Sequence, residues 1–255
     1  VKKRTLLLDA DIIAFRLAAR NETDTAFGKA VDPLGPALRE TDAYIAELKK
    51  DLKATDVIVC LTCREHNFRY DVRSDYKGKR KTDGRPEHLT AIKNHMEEEY
   101  ETFIRYSLEA DDVMGILQTH PTLVAGETVI VSEDKDMRTV PGLLYAPHRP
   151  ELGVIDVTPL EAAQFHMWQT ICGDTVDDYT GARGVGKASL FAQAVLEEDG
   201  PDLWDTVCHA FGYVGATEAH ALQQARLAKI LTRECYDFTT KEVILWEPES
   251  LTLLK

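Results

Sequence analysis

The sequence is short of most features that would place it outside ordinary globular chemistry. It has five cysteines, an odd number that cannot all pair within the chain and too few for a disulfide framework. Cys60 and Cys63, with His66 nearby, make at most half of a zinc site, because no second Cys or His pair stands at a suitable spacing. No apolar run reaches the length of a membrane span. The basic opening Val1–Arg4 is followed by only a brief apolar run before Asp9 and Asp11, too early for a signal peptide. Cytoplasmic residence is therefore expected. There is no internal repeat and no low-complexity tract. Positive charge is also scarce: 30 Lys and Arg face 43 Asp and Glu, for a net charge of −13. That excludes passive adhesion to nucleic acid by overall charge, so any contact with DNA needs local basic patches. Global disorder is excluded too, because 44% of the residues are hydrophobic. A chain of 255 residues fits one large domain or a main domain with a smaller one appended.

What the chain does have is acid in dense groups. In Ser107-Leu108-Glu109-Ala110-Asp111-Asp112-Val113-Met114-Gly115 three carboxylates fall within four positions, at the expected start of a helix. Two like charges about 4 Å apart repel by roughly 4 kcal/mol at an effective dielectric near 20. A helix N-terminus offsets only about 0.3–1 kcal/mol per charge. Hard divalent cations are the usual further neutraliser. An acidic first helical turn with no such role is the plain alternative.

Two further acid groups follow apolar segments. Arg4–Leu8 reads as a buried strand with Asp9 and Asp11 at its carboxyl end, where open α/β sheets bind ligands. Thr128–Val131 reads as another, ending in Ser132-Glu133-Asp134-Lys135-Asp136. Val57–Leu61 and Thr102–Tyr106 add strands, and Leu143–Ala146 a further one. Helices are expected over Ile12–Ala19, Thr41–Leu52, Thr90–Tyr100 and Val113–Leu117, with a loop from Asn21 to Pro36. After Pro147–Pro150 the character changes. Thr158-Pro159-Leu160-Glu161 is a good helix start, and that helix should run to about Cys172. Helices over Ala188–Leu196, Leu203–Phe211 and Glu218–Cys235 and a closing strand Lys241–Trp246 complete the reading.

One segment is strongly basic. Between Arg69 and Arg85 seven Lys or Arg face three Asp. It is either a solvated loop or a phosphate grip, with Tyr70 and Tyr76 able to stack on bases. Gly181-x4-Gly186-Lys187 nearly spells a P-loop, but Ala188 stands where a Mg²⁺-binding Ser or Thr belongs and no strand precedes it. The other readings are a plain inter-helix turn, or one whose backbone N–H groups meet a phosphate.

Taken together these motifs resemble the 5′-nuclease superfamily of flap endonucleases and 5′-to-3′ exonucleases, and are most similar to podophage exonucleases. The resemblance rests on Asp9, Phe68-Arg69…Tyr76-Lys77-x-x-Arg80, Leu108–Asp112, Ser132-x-Asp134-x-Asp136 and Gly173-Asp174-x-x-Asp177…Gly181-x-x-Gly184-x-Gly186. It implies a PIN-like α/β fold: a twisted, mainly parallel sheet flanked by helices, in a catalytic domain over 1–150. A helical region over 151–255 would carry a helix–three-turn–helix that grips duplex DNA and holds a monovalent cation such as K⁺. It implies two or more Mg²⁺ or Mn²⁺ ions, one held by Asp9, Glu109, Asp111 and Asp112, another by Asp134, Asp136, Asp174 and Asp177. Lys77 and Arg80 would neutralise the scissile phosphate, with Tyr76 stacking on an unpaired base. Arg69, Arg73, Lys79, Lys81, Arg85, Arg183, Gly184, Gly186 and Lys187 would contact DNA. The implied substrates are duplexes with a 5′ end, flaps and the RNA of RNA–DNA hybrids, in a host cytoplasm. Thr62 stands near the place where many members carry an Asp. A haloacid-dehalogenase-like phosphatase built on Asp9-Ala10-Asp11 and a non-catalytic structure-specific DNA-binding protein are the alternatives.

Overall fold

A computed structural model describes residues 3–26, 28–79 and 84–253. Arg80 and Lys81, expected to act on substrate, lie outside the described residues. In chain order the elements begin β1 (Arg4–Asp9), α1 (Ala10–Arg20), β2 (Glu22–Thr25), β3 (Gly28–Val31), α2 (Leu34–Asp51) and β4 (Asp56–Cys60). There follow α3 (Arg69–Val72), α4 (Leu89–Glu99), β5 (Thr102–Phe103), α5 (Ala110–Thr119), β6 (Glu127–Val131), β7 (Gly142–Tyr145) and β8 (Val154–Val157). The remainder is α6 (Pro159–Cys172), α7 (Leu190–Ala194), α8 (Leu203–Tyr213), α9 (Glu218–Ala228), β9 (Tyr236–Asp237) and β10 (Glu242–Val243). The chain forms two compact units. The first comprises Val1–His66, Thr82–Asp134 and Leu143–Ile155; the second comprises Asn67–Lys81, Lys135–Gly142 and Asp156–Lys255.

The first unit is built on a six-stranded sheet of order β5-β4-β1-β6-β7-β8, parallel in every pairing from β5 to β7. Leu6, Leu7 and Leu8 of the central strand are fully buried, because a parallel strand is covered on both faces. Successive strands run from β1 to β4 and β5 on one side, then to β6, β7 and β8 on the other. The topological switch therefore falls between β1 and β6, and in such sheets the crevice at the carboxyl ends there is the ligand site. Helices α1, α2 and α4 pack Ile13, Leu17, Ile45, Leu48, Ile92 and Met96 into one core.

The second unit has its own core, centred on Met167, Ile171, Trp204, Val207, Phe211 and Trp246. Helix α6 starts as its sequence demands, with Thr158 as N-cap, Pro159 in the first turn and a capping box closed by Glu161. Among the described residues no helix is long and apolar enough to cross a membrane.

Several elements differ from expectation. The loop over 21–36 contains the hairpin β2–β3, whose sequences Glu22–Thr25 and Gly28–Val31 carry no apolar alternation to betray it. Helix α2 starts at Leu34 rather than Thr41; Pro36 is tolerated because first-turn N–H groups need no helical partner. Helix α9 stops at Ala228, well short of Cys235. There the buried Arg69 guanidinium takes the carbonyls of Leu227 and Lys229, at 3.0 and 2.7 Å. The closing strand shrinks to the two-residue ladder β9–β10, and β8 is an additional strand.

Candidate active-site residues

The strand ends of the first unit set out its acids. Asp9 terminates β1 and caps α1, its Oδ1 accepting the Ile12 N–H at 3.1 Å. Its other oxygen accepts the Ser132 hydroxyl at 2.6 Å, and the same Ser132 oxygen accepts the Asp134 N–H at 3.0 Å. Ser132 thus ties the ends of β1 and β6 together at the switch point. Asp9 is 1% exposed. Burial, followed by the charges of Asp11 and Asp134, pushes its carboxyl up to about 7 despite the Ser132 and Ile12 bonds. Asp11 accepts the Lys93 ammonium at 2.6 Å and the Thr62 N–H at 3.3 Å. The Thr62 hydroxyl in turn accepts the Ala110 N–H at 3.0 Å, joining β4 to the start of α5.

Helix α5 opens with the densest acid group. Glu109 is its N-cap and Asp112 its third residue, and the two form a reciprocal capping box, with the Glu109 N–H on Asp112 at 3.1 Å. Asp112 is buried and Asp111 half-buried. The thiol of Cys60, at the end of β4, is pushed far up, first by burial and then by the charges of Asp9, Asp111 and Asp11. These three carboxylates therefore act on one small region.

The second unit holds a different acid group. Gly173 and Gly181 stand back to back: a Cβ on Gly181 would lie 2.4 Å from both the Gly173 nitrogen and the Ile171 oxygen. Between them Asp174 and Tyr179 pair in an antiparallel bridge. Asp174 Oδ1 accepts the Val176 N–H at 2.7 Å, and its Oδ2 accepts Lys135 at 2.8 Å. Lys135 also reaches Asp136 at 2.6 Å. Burial alone would raise the Asp174 carboxyl, but Lys135 and the Val176 and Asp177 N–H groups hold it below the usual range. Asp177 accepts the Tyr76 hydroxyl at 3.1 Å and lies 3.3 Å from the Lys77 ammonium.

The basic segment departs from its expected role at two positions. Arg69 is 3% exposed and Tyr76 is 2% exposed. The Arg69 guanidinium lies over the Phe68 and Tyr76 rings with its N–H groups spent on carbonyls, so it is a structural cation rather than a DNA contact. Tyr76 packs with Tyr179, Leu227 and Ala228 and offers no open face to a base. Both go inside because the second unit supplies carbonyls and a carboxylate for their polar ends. Arg73 bonds to Asp75 and to the Asp178 carbonyl, Lys79 pairs with Asp178 at 2.6 Å, and Arg85 is exposed.

From Asp174 to Ser189 the chain makes three successive turns between α6 and α7, closed by Tyr179 N–H on Asp174, Val185 N–H on Ala182 and Ser189 N–H on Gly186. Gly184 has φ +95°, and a Cβ on Gly184 or Gly186 would meet nothing within 4 Å. Arg183 and Lys187 are exposed beside them.

Among the described residues, no three His, Cys, Asp or Glu side chains converge closely enough to hold a metal ion as they stand. The carboxylates are instead turned onto Ser132, Lys93, Lys135, Lys77 and backbone N–H groups. Sequence reasoning placed Ser132 in a motif and noted Thr62 where an Asp is usual, but gave neither a bonding role, and it passed over Lys93 and Lys135. Of the last two only Lys135 carried a signal, standing between the acids of the Asp134-x-Asp136 motif.

Comparison with known proteins points the same way. Residues 4–141 match the family described as 5′-3′ exonuclease, N-terminal resolvase-like domain. The chain is 28% identical to the exodeoxyribonuclease of Enterobacteria phage T3, over 97% of this chain and 94% of that protein. It is 27% identical to the exonuclease of Escherichia phage T7, over 96% and 94%. A flap endonuclease of bacteriophage T5, solved as a pseudo-enzyme-product complex with DNA and metal ions, shares the fold: TM-score 0.64, 19% identity, 89% of each chain covered. Acids at adjoining strand ends, a turn-rich helical connection and a match spanning more than half of the sequence lead to one conclusion: the chain belongs to the 5′-3′ exonuclease family, on a PIN-like α/β fold.

Proposed function

We propose that the protein is a divalent-metal-dependent nuclease that hydrolyses phosphodiester bonds at or near the 5′ ends of duplex or flapped DNA and the RNA of RNA–DNA hybrids. The observation that carries this reading is Asp9 at the switch point, where burial first and then the charges of Asp11 and Asp134 raise its carboxyl to about 7. A carboxylate so placed lacks positive charge, and its donor set is all oxygen, which suits Mg²⁺ or Mn²⁺. In the first unit Asp9, Glu109, Asp111 and Asp112 would hold such an ion, with Asp134 beside Asp9 through Ser132. In the second unit Asp136, Asp174 and Asp177 would hold another in place of the Lys135 and Lys77 ammonium groups. When bound, these ions supply Lewis-acid charge at the scissile phosphate and lower the pKa of water.

The chain's own residues do the rest. Ser132 fixes Asp9 through its hydroxyl, and Thr62 holds Asp11 through its backbone N–H and the start of α5 through its hydroxyl. Lys77, once released from Asp177, brings a positive charge to the developing phosphorane, with Arg80 expected to add a second. The three turns, with Gly184 and Gly186 exposed and open and with K⁺ as their expected ligand, would hold the DNA backbone. A duplex labelled at its 5′ end tests the proposal. Mg²⁺ should release the label as short 5′-phosphorylated product, EDTA should stop it, and Mn²⁺ should restore it. Release that survives EDTA, or that starts from the 3′ end, would overturn the reading.

A further inference from the structure

On α6, Phe165 and Trp168 are three residues apart and therefore share a face. Their rings stack with centroids 5.3 Å apart and planes 18° apart. A cation sits at each end of this pair. The Arg138 guanidinium lies 5.0 Å from the Phe165 ring centre, and the Lys187 ammonium lies 5.5 Å from that of Trp168. Arg138 comes from the short 3-10 helix Lys135–Thr139, and Lys187 from the third of the three turns. Both are exposed while the rings between them are half-buried.

In a chain of net charge −13, nearby cations are consumed by acids: Arg73, Lys77, Lys79 and Lys135 all pair with Asp. Among the described residues, Arg138 and Lys187 pair with none; Glu161 feels the Arg138 charge at a distance. A ring face orients a cation, at about 0.5–1 kcal/mol for an exposed site, without neutralising it or occupying its outward N–H donors. The arrangement is thus two aimed, unspent positive charges joined by a rigid aromatic spacer.

We propose that this ladder is a phosphate track, extending the duplex footing from the glycine turns along α6 to Arg138. Arg138 is then a DNA-binding residue, and Phe165 and Trp168 position it and Lys187. The inference rests on the DNA-nuclease reading above. It does not involve the acid groups, so binding without divalent metal tests it.

The experiment measures binding of a fluorescent blunt duplex in EDTA over a range of KCl concentrations. Each phosphate contact contributes about 0.9 to the slope of log Kd against log salt. Arg138→Met and Lys187→Met should each reduce the slope by about that amount and weaken binding several-fold. The double variant should lose about twice as much. Arg138→Lys should retain the slope, which separates charge from any effect on folding. A wild-type slope for Arg138→Met, with or without a loss for Lys187→Met, would overturn the proposal while leaving the nuclease reading intact. A wild-type protein that neither binds the duplex nor cleaves it in Mg²⁺ would overturn both.

Discussion

Replacing Asp9 with Asn tests the electrostatics at the switch point most directly. The carboxyl ordinarily titrates at 3.8 and is raised here to about 7. Its folded-state pKa therefore lies above its unfolded one. Below 3.8 both states are protonated and the group contributes nothing. As pH rises toward 7 the unfolded chain ionises while the folded one resists, and stability falls by up to about 1.4 kcal/mol per pH step. Above 7 the cost is complete, at about 4 kcal/mol. Asn keeps the volume; its Oδ1 can still accept the Ile12 N–H, while its NH2 donates to the Ser132 oxygen once that hydroxyl turns away. Asp9→Asn should therefore melt at a higher temperature than the wild type in EDTA at pH 8. At roughly 2–4 °C per kcal/mol for a chain of this size, the upper bound is about 8–16 °C. At pH 4 the two should melt together. Mg²⁺ should raise the wild-type midpoint and narrow the gap, while turnover in the variant is lost. The assay is thermal unfolding by circular dichroism at both pH values, with EDTA or Mg²⁺. A difference independent of pH, or a variant less stable than wild type at pH 8, would refute the reasoning.

Four other outcomes are expected. Thr62→Val removes the hydroxyl that accepts the Ala110 N–H, and should weaken Mn²⁺ binding by about tenfold in calorimetric titration while the fold persists. Gly181→Ala forces a Cβ to 2.4 Å from backbone at a φ of +59° and should cost about 3 kcal/mol or more in urea unfolding. By contrast Gly186→Ala, which meets nothing, should stay within about 0.5 kcal/mol yet bind duplex less tightly. His166 is buried against the Ala225 carbonyl, and burial, then the Lys229 charge, pushes its ring down to about 3 from 6.5. Because the unfolded chain takes up the proton first, stability should fall below pH 6.5, by about 2 kcal/mol between pH 7 and 5. A His166→Gln variant that shows the same acid sensitivity in urea melts would assign it to other groups.

Asp9 and Asp134 were legible because each comes just after a brief apolar run, too short for a helix and therefore read as a strand. Once Leu6–Leu8 and Val129–Val131 are neighbouring parallel strands, Asp9 and Ser132–Asp134 meet without further instruction. Partners were not legible. Asp11 and Lys93 are 82 residues apart, and nothing in either neighbourhood announces the other. The basic segment misled for a related reason. An Arg or Tyr among charged neighbours reads as surface, yet Arg69 and Tyr76 go inside because distant carbonyls and Asp177 satisfy them. The hairpin over 22–31 escaped because exposed two-sided strands leave no periodicity.

The order of synthesis gives the Tyr76–Asp177 bond a consequence of its own. Its ends are 101 residues apart, which at about 5–20 residues per second is a delay of roughly 5–20 s on the ribosome. The carbonyls that receive Arg69 arrive later still, 158 residues downstream. Over that interval the segment from Arg69 to Lys79 has none of these partners, with its aromatic and cationic side chains open to water. A nascent chain stalled before Asp174 thus lacks Asp174, Asp177 and the residues that pack over Tyr76. In time, the covering of Arg69 and Tyr76 is conferred by the last third of the chain.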